Sequence, residues 1–381
     1  MSHVYFDHNA TTPLDERVLA AMLPFLRQHH GNASSRHQPG AIARRAVEHA
    51  RAQVAALIGA EPAQVVFTSG GTEANNLFVK GMAGYLKPGQ IAVSAIEHPS
   101  VAKPAEALAR GGWRVRKLAV DRAGRVEPDD IGAALGTHTD IVSVMLANNE
   151  TGVLQDVAAI AEKARAAGAI VHTDAVQALG KVAVDFDALG VHAMTLSAHK
   201  ICGPKGAGAL VHDKRISLRP LLSGGGHEQG LRSGTENVPA IVGFGAACEI
   251  AGGHLREAAP HLAELRNALE QGLGGLGAAI FGATAPRIPN TSYFAFPDVD
   301  GETLVVELDK AGYAVASGAA CSSVSTEPSA TLLAMGVAPE LARGALRVSL
   351  GRGNTHEQID AFLRTLNDVL LKLRRLAAIA V

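Results

Sequence analysis

Between residues 60 and 212, short apolar runs rich in β-branched residues alternate with alanine-rich stretches whose apolar positions recur every three or four residues. The runs are QVVFTS (64–69), IAVSAI (91–96), RVRKLAV (114–120), DIVSVMLA (140–147), GAIVHTDAV (168–176), AMTLSA (193–198) and GALVH (208–212). Several are continuously hydrophobic rather than alternating, which is the pattern of strands covered by helices on both faces. Between two of them, VLQDVAAIAEKARAAG (153–168) predicts a helix. Asp156 can cap its start, Val157, Ile160, Ala161 and Ala164 make one apolar stripe, and Gly168 suits the position just past its end. Strand–helix–strand alternation predicts an α/β fold with a mostly parallel sheet, whose ligands bind beyond the carboxyl ends of the strands.

The pattern changes after a helical segment expected to end near residue 250. NTSYFAF (290–296), YAVASG (313–318) and ALRVSL (345–350) read as strands separated by helices, and a long final helix follows. That helix opens with Thr355 and Gln358 at capping-box spacing, then Ile359, Phe362, Leu363 and Leu366 at helical spacing. The second unit is thus a smaller α+β one. Two Gly/Ser-rich segments, SGGGHEQGLRSGTEN (223–237) and SGAACSSVSTEPSA (317–330), are expected to be loops, and their length hints at function.

Composition narrows the classes. The 381 residues carry 35 Lys+Arg against 36 Asp+Glu, so no basic surplus marks a nucleic-acid or anionic-membrane surface. At 47% hydrophobic the chain can bury a large core, and no apolar run has the ~20 residues of a membrane span. MSHVYFDHNATT lacks the charged and apolar regions of a secretory signal, so a cytoplasmic protein is expected. Three cysteines, Cys202, Cys248 and Cys321, make neither a disulfide framework nor a CxxC metal pair.

Four places could carry chemistry. In FTSGGTEANN (67–76) a strand runs into Gly70-Gly71-Thr72 and a helix begins. Its bare N–H groups and the Thr72 hydroxyl could cradle a phosphate, or form an ordinary capped βα turn. Asp174 and Gln177, in HTDAVQ (172–177), end a buried strand; a carboxylate there either caps a helix or meets a cation, such as a protonated pyridine nitrogen. Lys200 follows the next strand in SAHK (197–200). It is a solvated surface lysine or a catalytic one, and the latter requires an environment that lowers its pKa of ~10.4, or an existing imine. Cys321 lies among small polar residues that exclude a core strand, so it reads as a reactive thiol on a loop; Cys202, in a Gly/Pro turn, and Cys248, in an apolar helix, read as structural. His98 and Arg347 are weaker candidates, Arg347 either pairing internally or binding a carboxylate.

Taken together and in order, FDHNATTP (6–13), TSGGTE (68–73), EHPS (97–100), NNETG (148–152), TDAVQ (173–177), SAHKICGPKG (197–206), GGGHEQGLRSGTEN (224–237), SGAACSS (317–323) and LRVSLGR (346–352) resemble the cysteine desulfurases, fold-type-I, class V enzymes that use pyridoxal 5'-phosphate (PLP). The resemblance runs end to end, and the long segment around Cys321 is similar to that of the NifS/IscS group. It implies a large PLP-binding domain (16–254) with a mostly parallel seven-stranded sheet, and a small domain (1–15 and 255–381) carrying the cysteine loop (about 317–330). It implies that Lys200 binds PLP covalently, Asp174 pairs with the pyridine nitrogen, Gln177 donates to the phenolic oxygen and His98 stacks on the ring and relays protons. Gly71, Thr72, Ser197 and His199 are implied to hold the phosphate, joined by Thr235 from the partner subunit of a homodimer. Asn149 and Arg347 are implied to contact the substrate adduct, Arg347 at its carboxylate, and Cys321 to accept sulfur from L-cysteine as a persulfide.

The expected activity is conversion of L-cysteine to L-alanine, with sulfur passed to an iron–sulfur scaffold or another acceptor protein. No intrinsic metal is expected, a partner's iron–sulfur cluster being the one metal centre to come near Cys321. Selenocysteine lyase and class V aminotransferase are the enzymatic alternatives, and a sulfur-trafficking protein with a relic PLP site is the non-enzymatic one. The chain stops at LAAIAV (376–381), so docking of a scaffold through a tail beyond the last helix, as in IscS-type proteins, is not expected. Cys202 stands where such proteins often carry an aromatic residue.

Overall fold

A computed structural model describes residues 3–297, 299–318 and 327–379. All seven apolar runs of the first half form strands of one sheet: Val65–Thr68, Gln90–Ser94, Arg114–Leu118, Ile141–Ser143, Ile170–Asp174, Ala193–Ser197 and Gly208–His212. By first residue, the order across the sheet is 65, 208, 193, 170, 141, 90, 114. Gly208–His212 is antiparallel to both its neighbours, and the other pairings are parallel. Six strands are buried nearly throughout, as their continuous apolar character requires. The edge strand Arg114–Leu118 is the exception: Arg114 and Lys117 are exposed and charge an edge that would otherwise invite pairing.

Caps read from the sequence are in place. The Asp156 side chain accepts the Ala159 N–H at the start of the Val157–Ala166 helix, and Gly168, with φ of +83°, takes the left-handed turn just beyond its end. The Thr355 and Gln358 side chains exchange bonds with each other's backbone N–H at the start of His356–Ile379.

Two expectations are corrected. The helix expected to end near residue 250 runs unbroken from Val238 to Gly275, through Gly252-Gly253 and Pro260. Its first part is buried in the core beneath the large sheet, whereas Leu262, Leu265, Leu269 and Leu273 continue the apolar stripe into a second core shared with Phe6, Phe294, Phe362 and Leu366. Burial of that stripe outweighs the hydrogen bond that proline removes. The helix is long and apolar enough to cross a membrane, but much of it is buried inside the protein, as a core helix is. The run 313–318 is not one strand. Tyr313–Ala314 pairs in parallel with Val4–Tyr5, and Ala316–Ser317 joins a separate antiparallel sheet, in the order 316, 345, 291, 279 by first residue. Val315, buried in the second core, is where the chain crosses between them.

Candidate active site

The carboxyl ends of the parallel strands face a cavity of about 370 Å³. Its walls bring together Gly71, Thr72, His98, Asn149, Asp174, Gln177, Ser197, His199, Lys200 and Arg347, that is, ten of the twelve residues expected from the sequence. Thr235 does not line it and is exposed in the 223–237 segment. Cys321 lies outside the described residues.

Asp174 ends its strand buried, with the Asn75 Nδ2 donating to Oδ2 at 2.7 Å and the Val176 N–H to Oδ1 at 3.0 Å. Two donors leave lone pairs for a further partner from the cavity. Asn75 uses its other amide hydrogen on the Ser100 Oγ at 2.8 Å, and that hydroxyl lies 2.6 Å from the His98 Nδ1. The Ser100 N–H also points at Nδ1, at 3.1 Å. An N–H can only donate, so Nδ1 is the acceptor and the proton of neutral His98 sits on Nε2. Burial lowers the pKa of His98, the Lys200 charge adding to it and Asp174 opposing it. The ring is therefore neutral at pH 7.

Lys200 leaves the strand Ala193–Ser197 on a short 3₁₀ turn and donates to the backbone carbonyls of Asn9 and Ala10. Beside it, burial and the charges of Lys200, Lys205 and Lys181 lower His199 to about 4. The Ser197 Oγ is buried and has no hydrogen-bond partner among the described residues. It lies near the start of the Gly71–Tyr85 helix, where a Cβ on Gly71 would come 2.9 Å from the Val176 Cγ2 and 3.7 Å from the Ser197 Cβ. A helix N-terminus, an unpartnered hydroxyl and room kept by a missing side chain form an anion receptacle. The set fits PLP: phosphate at the helix start, a carboxylate for the ring nitrogen and a lysine for the aldehyde.

Arg347, in the strand Ala345–Ser349, is buried. Its Nη2 donates to the Asp7 Oδ1 at 2.7 Å and its Nη1 to the Asn149 carbonyl at 2.9 Å, while Nε has no partner among the described residues. The internal pair foreseen for it is present, and the Nε–H remains for a ligand. The Gln177 Nε2 donates to the Asn9 carbonyl at 2.9 Å, and its Oε1 accepts from the Lys181 Nζ at 2.7 Å.

Three polar residues escaped the sequence reading. Asn9 accepts from Lys200, Gln177, Lys181 and Asn290, and donates to the Asn149 carbonyl and the Thr291 Oγ1. It is the hub that ties the amino-terminal segment to the cavity. Lys181 is a buried lysine with neutral acceptors; burial, with Lys200 and Arg347 adding, holds its pKa well below the usual range. Asn75 carried a local signal, since it lies three residues after Thr72 and so on the same helix face. Cys202 is half-buried in left-handed backbone, with φ of +62° and its N–H on the Thr12 Oγ1, and Cys248 is fully buried, its thiol pushed up by burial.

Comparison with known proteins agrees with this geometry. Residues 4–362 match the family described as aminotransferase class-V. Cysteine desulfurase 2 of Trichormus variabilis is 41% identical, over 99% of this chain and 95% of its own. Cysteine desulfurase IscS of Anaeromyxobacter dehalogenans is 44% identical, over 98% and 94%. A solved NifS-like protein superposes with a TM-score of 0.91 at 39% identity, covering 97% of this chain and 99% of that one. The chain belongs to the class-V aminotransferase family, among its cysteine desulfurases.

Proposed function

We propose that the protein is a PLP-dependent cysteine desulfurase that converts L-cysteine to L-alanine and transfers the sulfur to its own Cys321. The observation that carries the reading is the convergence, in one cavity, of the Lys200 amine, the Asp174 carboxylate and the unpartnered Ser197 hydroxyl beside a helix start. Bound PLP supplies an electron sink conjugated to the substrate's α-carbon. Lys200 would hold the cofactor and take the α-proton, and Asp174 would keep the pyridine nitrogen protonated. Gly71, Thr72, Ser197 and His199 would receive the phosphate, with Thr235 supplied by a partner subunit of a homodimer. Gln177 would face the cofactor's phenolic oxygen, and His98, neutral with its proton on Nε2, would cover the ring and hand on a proton. Asn149 and the free Nε of Arg347 would position the substrate, Arg347 at its carboxylate.

The Cys321 thiolate attacks the substrate sulfur. A sulfur–sulfur bond forms, the carbon–sulfur bond breaks with its electron pair left on carbon, and a proton completes the methyl group of alanine. The balance is L-cysteine plus protein thiol to L-alanine plus protein persulfide, with no outside oxidant. In this reading residues 16–254 form the cofactor-binding domain and residues 1–15 with 255–381 the smaller one. The protein acts in the cytoplasm, and an iron–sulfur scaffold or another acceptor protein receives the sulfur.

Incubation of the PLP-loaded protein with sulfur-labelled L-cysteine tests this. Alanine should appear with labelled persulfide on the Cys321 peptide. Cys321→Ala should keep the yellow cofactor and release no sulfide, and Lys200→Ala should lose the lysine-bound absorption. Full turnover by Cys321→Ala would refute the assignment of the acceptor.

A further inference from the structure

Glu150, next to the cavity residue Asn149, lies outside the cavity lining and has no part in the chemistry above. Its carboxylate nonetheless collects three hydroxyls. The Tyr293 Oη donates to Oε2 at 3.0 Å, the Ser329 Oγ donates to the same oxygen, and the Thr331 Oγ1 donates to Oε1 at 2.9 Å. Ser329 accepts the Leu332 N–H as the N-cap of the Ala330–Ala334 helix, so its hydroxyl hydrogen is free to point at Glu150. Tyr293 is fully buried and pairs across the small sheet with Arg347, which also pairs with Ala316. Two residues after Ala316, a Cβ on Gly318 would come 2.1 Å from the Tyr293 Oη. The chain on either side of residues 319–326 thus closes on one group: Gly318 against Tyr293, and Ser329 and Thr331 on Glu150. Through Asn149, whose carbonyl takes the Arg347 Nη1 and the Asn9 Nδ2, that group is joined to the cavity wall.

We propose that Glu150 is a positioning residue for sulfur transfer: with Tyr293, Ser329 and Thr331 it fixes both ends of the segment carrying Cys321 relative to the cofactor cavity. The inference rests on Cys321 being the sulfur acceptor. A tethered thiol reacts at a rate set by its effective concentration at the substrate sulfur, and that concentration falls as the tether lengthens or its ends loosen. Three hydroxyls on one carboxylate are charge-assisted bonds, stronger than neutral ones, and their loss frees the 327–331 end.

The test uses the PLP-loaded full chain and two readouts. One is the L-cysteine concentration giving half the maximal change in cofactor absorption; the other is the single-turnover rate of persulfide formation. In Tyr293→Phe and Thr331→Val the first should stay within about twofold of the unaltered protein, while the second falls roughly tenfold, as loss of one charge-assisted bond implies. Glu150→Gln should fall further, and Thr331→Ser, which keeps the hydroxyl, should recover the rate. Unaltered transfer in Tyr293→Phe and Glu150→Gln, beside an inert Cys321→Ser, would overturn this inference alone. Loss of cysteine binding in step with transfer would also overturn it, because the residues would then be shaping the cavity. Transfer by Cys321→Ser would instead remove the acceptor assignment and this inference with it.

Discussion

Glu97 shows how far burial can move a single group in this protein. The Ser94 Oγ and the Met145 N–H both donate to its Oε1 at 2.6 Å, and Oε2 has no partner among the described residues. Burial, with the nearby Asp174 charge adding, raises its pKa to about 8. The carboxyl is therefore largely protonated at neutral pH, which leaves the Asp174 negative charge without a second one beside it. Because the folded pKa exceeds the unfolded one, the stabilising effect is complete below about pH 4.3 and is lost as pH rises through about 8. Glu97→Gln imitates the protonated form and should flatten that loss. Its thermal midpoint should match that of the unaltered protein at about pH 4, below that window, and exceed it at about pH 9, above it. An equally steep decline in both would show that another group is responsible.

At the level of elements, the start of the Gly71–Tyr85 helix carries the sharpest prediction. The methyl group of Gly71→Ala would press on Val176, a residue of the cavity wall. The fold should survive, and the cofactor's dissociation constant, read from its absorption, should rise roughly tenfold, the equivalent of ~1.4 kcal/mol. Unchanged affinity would mean that Val176 gives way freely. The seven strands and the Val157–Ala166 helix were legible because their signals are local: continuous apolar runs, and a cap at each end. Asp174, Lys200 and the Gly71-Thr72 turn were legible because they sit where those strands stop. Asn9 was not, because its partners lie as far away in sequence as Ser349 and no local pattern announces them. The passage of the helix through Pro260 was hidden for a related reason, since the core that holds its second half is assembled from both ends of the chain. The break at Val315 likewise depends on which strand each half of the run meets.

Across the whole molecule, the 223–237 segment is moored by a buried ion pair. Arg51 donates through Nη1 and Nη2 to the two carboxylate oxygens of Glu228 at 2.8 Å, and the Phe67 N–H donates to the same carboxylate at 2.7 Å. Both side chains are buried, so Glu228→Ala strands a charge and should cost about 3–5 kcal/mol in urea unfolding. Glu61→Ala, which removes the exposed partner of Lys214, should cost no more than about 1 kcal/mol. Equal losses would mean that the Arg51 pair is solvated in practice. The amino-terminal segment is placed with similar reach. Val4–Tyr5 adds to Tyr313–Ala314, and the Asn9 N–H is held by the Ser349 Oγ. The wall supplied by this segment is laid only once the strand at 345–349 is in place. The receptacle for vitamin B6 therefore has no finished wall before that strand is made, and loading must wait for it.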